Sequence, residues 1–271
     1  MVFKMSGRNW SKEVDRICKF IQDTVKESGT KGVVLGLSGG IDSAVVMALG
    51  IKALHNKVEC FYFTDNIIDD SIIYENVKEL LKSFNMSYNF ERYNISSAMA
   101  GFEAYYGIKD KAKGNFKSRL IMNHLRVEAE LHNYLLIGTT NKSEYLIGYY
   151  TKYGDGGVDF EPIQHLYKTE IYELAKYLNV PESILKAKPS AGLWEGQTDK
   201  EEIGMSYDRL DKILMFHKDE YPYDIAFEGM LEKGFTGDEI HKIYEMIRNS
   251  RHKRHMPKGI EIDVGHTYWY R

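Results

Sequence analysis

The chain has 271 residues, of which 43% are hydrophobic and 28% charged, and its formal net charge is −3. This length allows a sizeable buried core, and the acidic balance gives no general electrostatic reason to bind nucleic acid or an anionic membrane. The two cysteines, Cys18 and Cys60, fit neither a disulfide framework nor a zinc-ligand spacing. Because no apolar run approaches the ~18 residues of a membrane span, we expect a cytoplasmic protein with no membrane or nucleic-acid partner.

Helical and strand patterns alternate through the first half of the chain. Residues 10–27 carry apolar side chains at helical spacing, and the apolar run at residues 33–37 is typical of a buried strand. A second helix is predicted from residue 44 to 54 and a second strand from 58 to 63. The alternation continues with helices near residues 70–84 and 116–131, each followed by a strand, near residues 87–93 and 134–137.

The second half of the chain has a different pattern, in which helices are predicted near residues 167–178, 181–186, 207–216 and 238–251. The alternation that precedes them favours a parallel sheet covered by helices on both faces. We therefore expect an α/β fold of the Rossmann-like, doubly wound type, with a mainly parallel sheet flanked by helices and a helical C-terminal subregion. Since no linker or repeat interrupts the chain, residues 1–271 are expected to form a single domain.

The most specific local pattern is the stretch GLSGGIDS, from Gly36 to Ser43, between an apolar strand and an apolar helix. Consecutive glycines let the backbone approach an anion closely, and the free N–H groups at the start of a helix favour negative charge. Asp42 would repel a phosphate, so we expect it to hold a Mg²⁺ ion that bridges phosphates. The alternative is a glycine-rich turn with an ordinary helix cap.

A second constellation, GTTNKSE from Gly138 to Glu144, also follows a predicted strand. The carboxyl ends of parallel strands meet at one edge of the sheet, so this loop and the glycine-rich loop should converge there. Glu144 could complete a magnesium site with Asp42. Alternatively, its only role could be a favourable interaction with the dipole of the helix that begins at this point.

The loop SGGIDS resembles the SGGxDS loop of the N-type ATP pyrophosphatases, which cleave ATP between its α- and β-phosphates. Three later segments resemble NAD synthetases in order, spacing and residue type, namely GYYTKYGDGGVD from Gly148, LYKTE from Leu166 and KPSAGLWEGQTD from Lys188. This resemblance spans residues 31–257. It implies an ammonia-dependent ligase that amidates nicotinic acid adenine dinucleotide (deamido-NAD) through an acyl adenylate, giving NAD, AMP and pyrophosphate, the last step of NAD biosynthesis.

The resemblance also implies roles for individual residues. Lys168, Asp42 and Asp159 would be catalytic, with Asp159 or Asp155 accepting a proton from ammonium, and Asp42 and Glu144 would hold Mg²⁺. Contacts to ATP would come from Gly36, Leu37, Ser38, Gly39, Gly40, Ile41, Ser43, Thr139, Lys168 and Ser190. Contacts to deamido-NAD would come from Arg119, Lys152, Asp159, His252 and Lys253. The family forms homodimers. Its glutamine-using members carry an extra domain for which this chain has no room, so free ammonia, or ammonia supplied by a separate protein, is expected.

Two departures from the family pattern concern substrate contacts. Ile121 stands where the family commonly has a second arginine, and residues 64–69 differ from the usual loop after the second strand, where adenine and ribose are bound. Glycine-rich residues 154–157 and residues 190–204 are expected to act as lids.

Three other functions each account for part of the sequence. A tRNA-thiolating pyrophosphatase should show catalytic cysteines or an RNA-binding appendage. A nucleotide-binding module without catalysis would not need Glu144 and Lys168. The basic run at residues 251–255 could bind nucleic acid, but it lacks interleaved aromatic residues.

Overall fold

The sheet is parallel throughout its described length. The computed structural model describes residues 7–65, 70–86, 89–107, 110–190, 192, 196–216, 223–257 and 259. Its four strands are β1 (Val33–Gly36), β2 (Val58–Thr64), β3 (Phe90–Asn94) and β4 (Leu135–Leu136), arranged in the order β3-β2-β1-β4. The strand order reverses between β1 and β4. Open α/β sheets bind ligands at such a reversal, in the crevice outside the carboxyl ends of the strands.

Within these described ranges, twelve α-helices and one 3-10 helix surround the strands. In chain order they are α1 (Trp10–Glu27), α2 (Ile41–Leu54), α3 (Ser71–Ser83), α4 (Ser96–Tyr106), α5 (Asp110–His132), α6 (Lys142–Ile147), α7 (Lys168–Tyr177), α8 (Glu182–Lys186), α9 (Asp199–Ile203), α10 (Tyr207–Phe216), α11 (Tyr223–Glu232), α12 (Gly237–Asn249) and the 3-10 turn Arg251–Lys253. No described helix is both long and apolar enough to cross a lipid bilayer.

Alternate residues of the central strand point to opposite faces of the sheet, and helices cover both faces. Val33 and Leu35 pack into a core with the apolar sides of α1, α2, α3 and α7. Val34 lies in a second cluster, on the other face, with Leu125 and Ala129 of α5. This arrangement confirms the predicted Rossmann-like α/β fold with its mainly parallel sheet.

The helical C-terminal subregion has an apolar core of its own. Residues of α6, α10, α11 and α12 form this core, and Tyr167, just before α7, is also part of it. Leu210 and Ile213 of α10 and Ile240 and Ile243 of α12 are fully buried there. The subregion therefore packs beside the crevice, directly against the two short helices α6 and α7 that begin at its edge.

Several elements differ from the sequence prediction. The third strand begins at Phe90, and residues 87 and 88, where it was expected to begin, lie outside the described residues. The sequence did not predict helix α4. Met99 is the one residue that this helix buries, and Gly101 in its middle has a low helix propensity, so the sequence shows no apolar stripe. Ile137, which follows β4, forms an isolated parallel bridge with Phe160. A pairing of one residue is too short to produce a strand pattern around Phe160 in the sequence.

Candidate active site

The glycine-rich loop joins β1 to α2 in a conformation that depends on glycine. Gly39 has a φ of 77°, and a Cβ atom there would lie 2.4 Å from the side chain of Ile73. The hydroxyls of Ser38 and Ser43 lie 3.2 Å apart, and Ser38 accepts a hydrogen bond from the N–H of Gly40. Among the described residues no side chain caps the start of α2, so its first N–H groups are open to an anion.

The ammonium of Lys168 lies between the two carboxylates that were predicted to hold a metal ion. Its Nζ is 2.5 Å from Oδ2 of Asp42 and 3.2 Å from Oε1 of Glu144. Lys168 begins α7 and its side chain is 4% exposed, whereas Asp42 comes from α2 and Glu144 from α6. Three helix N-termini therefore bring one cation and two anions together at the crevice.

Asn141, which sequence reasoning did not select, links the same two carboxylates. Its side-chain amide donates to Oδ1 of Asp42 at 2.9 Å, and its backbone N–H donates to Oε2 of Glu144 at 3.2 Å. Its side-chain oxygen accepts the N–H of Glu144, which completes a capping box at the start of α6. The spacing of Asn141 and Glu144 in the sequence indicates the capping box. The contact between Asn141 and Asp42 spans 99 residues of sequence, so no local pattern could predict it.

Charge and burial perturb the ionisation of this centre. Burial favours the neutral form of Lys168, but the carboxylates of Asp42 and Glu144 outweigh it and raise the pKa of Lys168 above its usual range. Burial raises the pKa of Glu144, more than the neighbouring ammonium lowers it. Perturbed ionisable groups gathered in one crevice are typical of functional sites.

The donor set fits a magnesium ion that also binds phosphate oxygens. Both carboxylates already converge on one cationic atom, the Nζ of Lys168, so they can share a cation. Within the described ranges no group of three or more His, Cys, Asp or Glu side chains could hold a metal ion by itself. Mg²⁺ characteristically combines one or two carboxylates with substrate phosphates and water, which matches this pair.

Asp199 and Tyr207 form a further part of the centre that the sequence did not reveal. The hydroxyl of Tyr207 donates to Oδ2 of Asp199 at 2.8 Å and lies 3.5 Å from Oε1 of Glu144, and Nζ of Lys168 is 5.0 Å from the centre of its ring. Burial raises the pKa of Asp199, although Lys168 counteracts this. In the sequence, Asp199 is only the last residue of a segment that resembles NAD synthetases. Its position near Lys168 could not be predicted, because that position depends on how the helical subregion folds.

The basic residues predicted to contact deamido-NAD lie close together. Arg119 donates to the backbone oxygen of Lys152 at 3.3 Å, and Nζ of Lys152 donates to the backbone oxygen of His252 at 2.8 Å. Lys253 donates to the backbone oxygen of Gly148 at 2.6 Å. Arg119 and His252 are exposed, so the cluster offers positive charge to a ligand at the surface.

Asp159 is anchored to the sheet and to α5. Its Oδ1 accepts a hydrogen bond from Arg126 at 2.6 Å, and its Oδ2 accepts the N–H of Leu136 in β4 at 2.7 Å. Asp155, the other predicted proton acceptor, takes hydrogen bonds through Oδ1 from the N–H of Thr151 and the hydroxyl of Ser118. The roles of both aspartates in proton transfer stay predictions.

The loop after β4 carries Thr139 and Thr140 into the crevice beside a carboxyl that had no predicted role. Glu161 accepts the N–H of Thr140 at 2.9 Å, and its carboxyl packs so closely on Gly138 that a Cβ there would be 2.3 Å away. Burial raises the pKa of Glu161 to about 8. Thr139 is half-buried at this edge, where it was expected.

The segment expected to act as a lid, residues 190–204, contacts the rest of the site through Lys117. The N–H of Gly192 donates to the hydroxyl of Ser190, and its backbone oxygen accepts from Nζ of Lys117, which also pairs with Asp65 at 2.9 Å. Residues 191 and 193–195 of that segment, and residues 66–69 of the loop expected to bind adenine and ribose, lie outside the described residues. Ile121 packs, partly buried, against the apolar cluster beneath α5.

Comparison with known proteins assigns the family. The sequence profile of the NAD synthase family matches residues 13–257. The chain belongs to the NAD synthase family. An NH3-dependent NAD+ synthetase of Thermoplasma volcanium is 40% identical, covering 94% of this chain and 99% of that protein, and one of Archaeoglobus fulgidus is 42% identical, covering 92% and 96%.

Solved structures of NAD synthases agree with this assignment. An NH3-dependent NAD synthetase from Campylobacter jejuni superposes with a TM-score of 0.77 at 33% identity, covering 94% of this chain and all of that one. A chain described as the NMN synthetase of Francisella tularensis superposes with a TM-score of 0.82 at 30% identity, again covering 94% of this chain and all of that one. Two solved chains that resemble this one in size and fold are thus named for different products.

Proposed function

We propose that the chain catalyses the ATP-dependent amidation of deamido-NAD by ammonia, giving NAD, AMP and pyrophosphate. The observation that carries this proposal is the convergence of Asp42, Glu144 and Lys168 beside the glycine-rich loop, in a chain of the NAD synthase family. The glycine-rich loop supplies N–H groups for the phosphates of ATP, and Lys168 supplies a cation that is already buried in the crevice.

The first step joins two anions, so charge neutralisation and alignment are the main tasks of the protein. The nicotinate carboxylate of deamido-NAD attacks the α-phosphorus of ATP, and pyrophosphate leaves towards the loop of Ser38 and Gly39. Lys168 stabilises the charge that develops on the phosphate oxygens. Asp42 and Glu144 would hold Mg²⁺, which supplies further charge neutralisation on the phosphates when it is bound.

The second step transfers nitrogen. Ammonia attacks the acyl carbon of the adenylate, the C–O bond to AMP breaks, and the nitrogen loses a proton to give the neutral amide. Asp159 or Asp155 is the proposed acceptor of the proton from ammonium. Both cysteines are buried, and burial raises the pKa of Cys60, which argues against a thiol-based tRNA-modifying reaction in this chain.

The remaining assignments complete the proposal. Thr139 and Ser190 would contact ATP, whereas Arg119, Lys152 and the adjacent His252 and Lys253 would contact deamido-NAD. We propose that residues 1–271 form one domain, that two copies form a homodimer, and that the enzyme works in the cytoplasm with free ammonia.

A second acceptor is nicotinic acid mononucleotide, which one structural neighbour, named an NMN synthetase, brings into consideration. Both acceptors present the same nicotinate carboxylate, and they differ by the adenylate half that only the dinucleotide carries. Contacts of the basic cluster around Arg119 and Lys152 with that half would favour deamido-NAD.

The deciding experiment supplies the purified chain with ATP, Mg²⁺, ammonium and either acceptor at equal concentrations. We expect NAD and AMP to form, with a higher kcat/KM for deamido-NAD than for the mononucleotide. Asp42→Ala is the matched inactive control. Formation of ADP, or a preference for the mononucleotide, would contradict the proposal.

A further inference from the structure

Asp211 joins the N-terminal turns of two helices that carry active-site residues. It lies on α10 with 1% of its surface exposed. One of its oxygens accepts a hydrogen bond from the hydroxyl of Ser143, and the other accepts the N–H of Thr169 at 2.9 Å. The hydroxyl oxygen of Ser143 in turn accepts the N–H of Lys168 at 2.9 Å. A single carboxylate therefore connects α6, α7 and α10.

The residues held by Asp211 are direct neighbours of the charged centre. Ser143 precedes Glu144 on α6, and Thr169 follows Lys168 on α7. Helix α6 has six residues, too few to be stable without tertiary contacts, so its position depends on what its first turn is bonded to. Asp211 supplies that contact from the helical subregion, and it supplies the corresponding contact for α7.

The charge of Asp211 suits this position. Negative charge is favourable at helix N-termini, and Asp211 faces two of them. Burial raises the pKa of Asp211 to about 6, although the hydrogen bonds from Ser143 and Thr169 lower it. The other ionisable groups that face it are Glu170 on α7 and Tyr167 just before α7. Asp211 is therefore ionised at neutral pH and accepts all of these hydrogen bonds.

We propose that Asp211 is a positioning residue for the amidation reaction, which sets the distance between Glu144 and Lys168 through Ser143 and the first turn of α7. This inference rests on the proposed function of the site. It assigns the helical C-terminal subregion a part in catalysis, because α10 belongs to that subregion and Asp211 acts through Ser143 and Thr169.

The test compares Asp211→Asn, Ser143→Ala and the double variant in the steady-state assay for NAD. Because displacing catalytic groups by a fraction of an ångström is costly, Asp211→Asn should lower kcat on the order of 10-fold, with KM for ATP and deamido-NAD changed less than about twofold. Ser143→Ala should lower kcat in the same way. The double variant should be no slower than Asp211→Asn, because both changes remove one connection.

A matched control separates positioning from simple stability. Glu239 is another carboxylate of this subregion that accepts a hydrogen bond at a helix N-terminus, from the N–H of Thr236. Glu239→Gln removes its charge and should lower Tm without lowering kcat. The kcat of wild type should also decline as pH falls through about 6, and this decline should be smaller in Asp211→Asn. If Asp211→Asn does not fold, Ser143→Ala carries the same test.

The outcomes distinguish this inference from the proposed function. An unchanged kcat in Asp211→Asn, or in Ser143→Ala, together with a wild type that makes NAD and an inactive Asp42→Ala, would overturn the positioning role alone. A wild type that forms no NAD from deamido-NAD would overturn the proposed function first.

Discussion

The side-chain amide of Asn141 donates a hydrogen bond to Oδ1 of Asp42 at 2.9 Å, while the backbone N–H of Asn141 donates to Glu144. Asn141 has no exposed surface. It therefore orients a carboxylate on α2 and another on α6 relative to each other. If these two carboxylates hold Mg²⁺, the geometry of that pair depends on this one amide.

Asn141→Ser should weaken the binding of Mg²⁺ without unfolding α6. Serine retains an oxygen that can cap the helix, so the bond to the N–H of Glu144 can persist while the bond to Asp42 is lost. We expect the Mg²⁺ concentration for half-maximal activity to rise about 10-fold, in the range that is typical for the loss of a partner of a metal ligand. Titration of activity with Mg²⁺ at saturating ATP measures it.

Asn9→Ser is the matched control, because Asn9 caps α1 through the same side-chain oxygen, far from the crevice. It should leave the Mg²⁺ dependence unchanged. Equal Mg²⁺ dependence of Asn141→Ser and wild type would show that Asp42 needs no support from Asn141.

Lys168 occupies the position between the carboxylates that a metal ion would share, so removing its charge should change metal binding. In Lys168→Met we expect Mn²⁺, used as a probe in the absence of nucleotide, to bind on the order of 10-fold more tightly, because Asp42 and Glu144 lose a competing cation. The same variant should lose at least about 100-fold in kcat, because the role proposed for Lys168 is to stabilise the transition state.

Calorimetric titration with Mn²⁺ measures the first effect separately from activity. Lys19→Met removes an exposed lysine paired with Asp23 and should change neither Mn²⁺ binding nor kcat. Weaker Mn²⁺ binding in Lys168→Met than in wild type would mean that the lysine and the metal ion do not compete.

Local patterns sufficed for the parts of the fold and site that lie close together in sequence. The apolar run into Gly36 predicted the strand, and the glycines after it predicted the turn that joins this strand to α2. The family-like segment around Lys168 pointed to the ammonium that lies between Asp42 and Glu144. These features depend on steric and hydrogen-bonding rules that act over a few residues.

The rest of the site depends on contacts between distant segments. Asp211 reaches Ser143 across 68 residues and Tyr207 approaches Glu144 across 63, so neither pairing has a spacing that a sequence pattern could show. Glu161 was missed for a different reason, because its role comes from packing on Gly138 and from a bond to one backbone N–H. The sequence did not predict helix α4 because this helix buries too few side chains to show a helical period of apolar residues.

Glu161 should make the stability of the protein depend on pH. Its pKa is about 8 in the folded protein, raised by burial from an ordinary value of 4.5. The folded state therefore holds the proton more tightly, and the free energy of unfolding should fall as pH rises from about 4.5 through about 8. Glu161→Gln removes this loss, so its stability relative to wild type should increase by on the order of 4 kcal/mol between pH 5 and pH 9.

Urea unfolding at the two pH values measures the difference. Glu182→Gln alters a carboxylate with 72% of its side chain exposed and should show no comparable gain. A constant stability difference between Glu161→Gln and wild type across this range would contradict the buried, proton-binding state of Glu161.

Arg119 should affect the dinucleotide and not ATP. Arg119→Gln removes a guanidinium from the cluster with Lys152, and we expect KM for deamido-NAD to rise about 10-fold while KM for ATP changes less than about twofold. Arg16→Gln, which removes an arginine paired with Glu13 on α1, should leave both constants unchanged. Initial rates with one substrate varied at a time provide both values. A parallel rise in KM for ATP would place Arg119 nearer to the ATP site than to the dinucleotide.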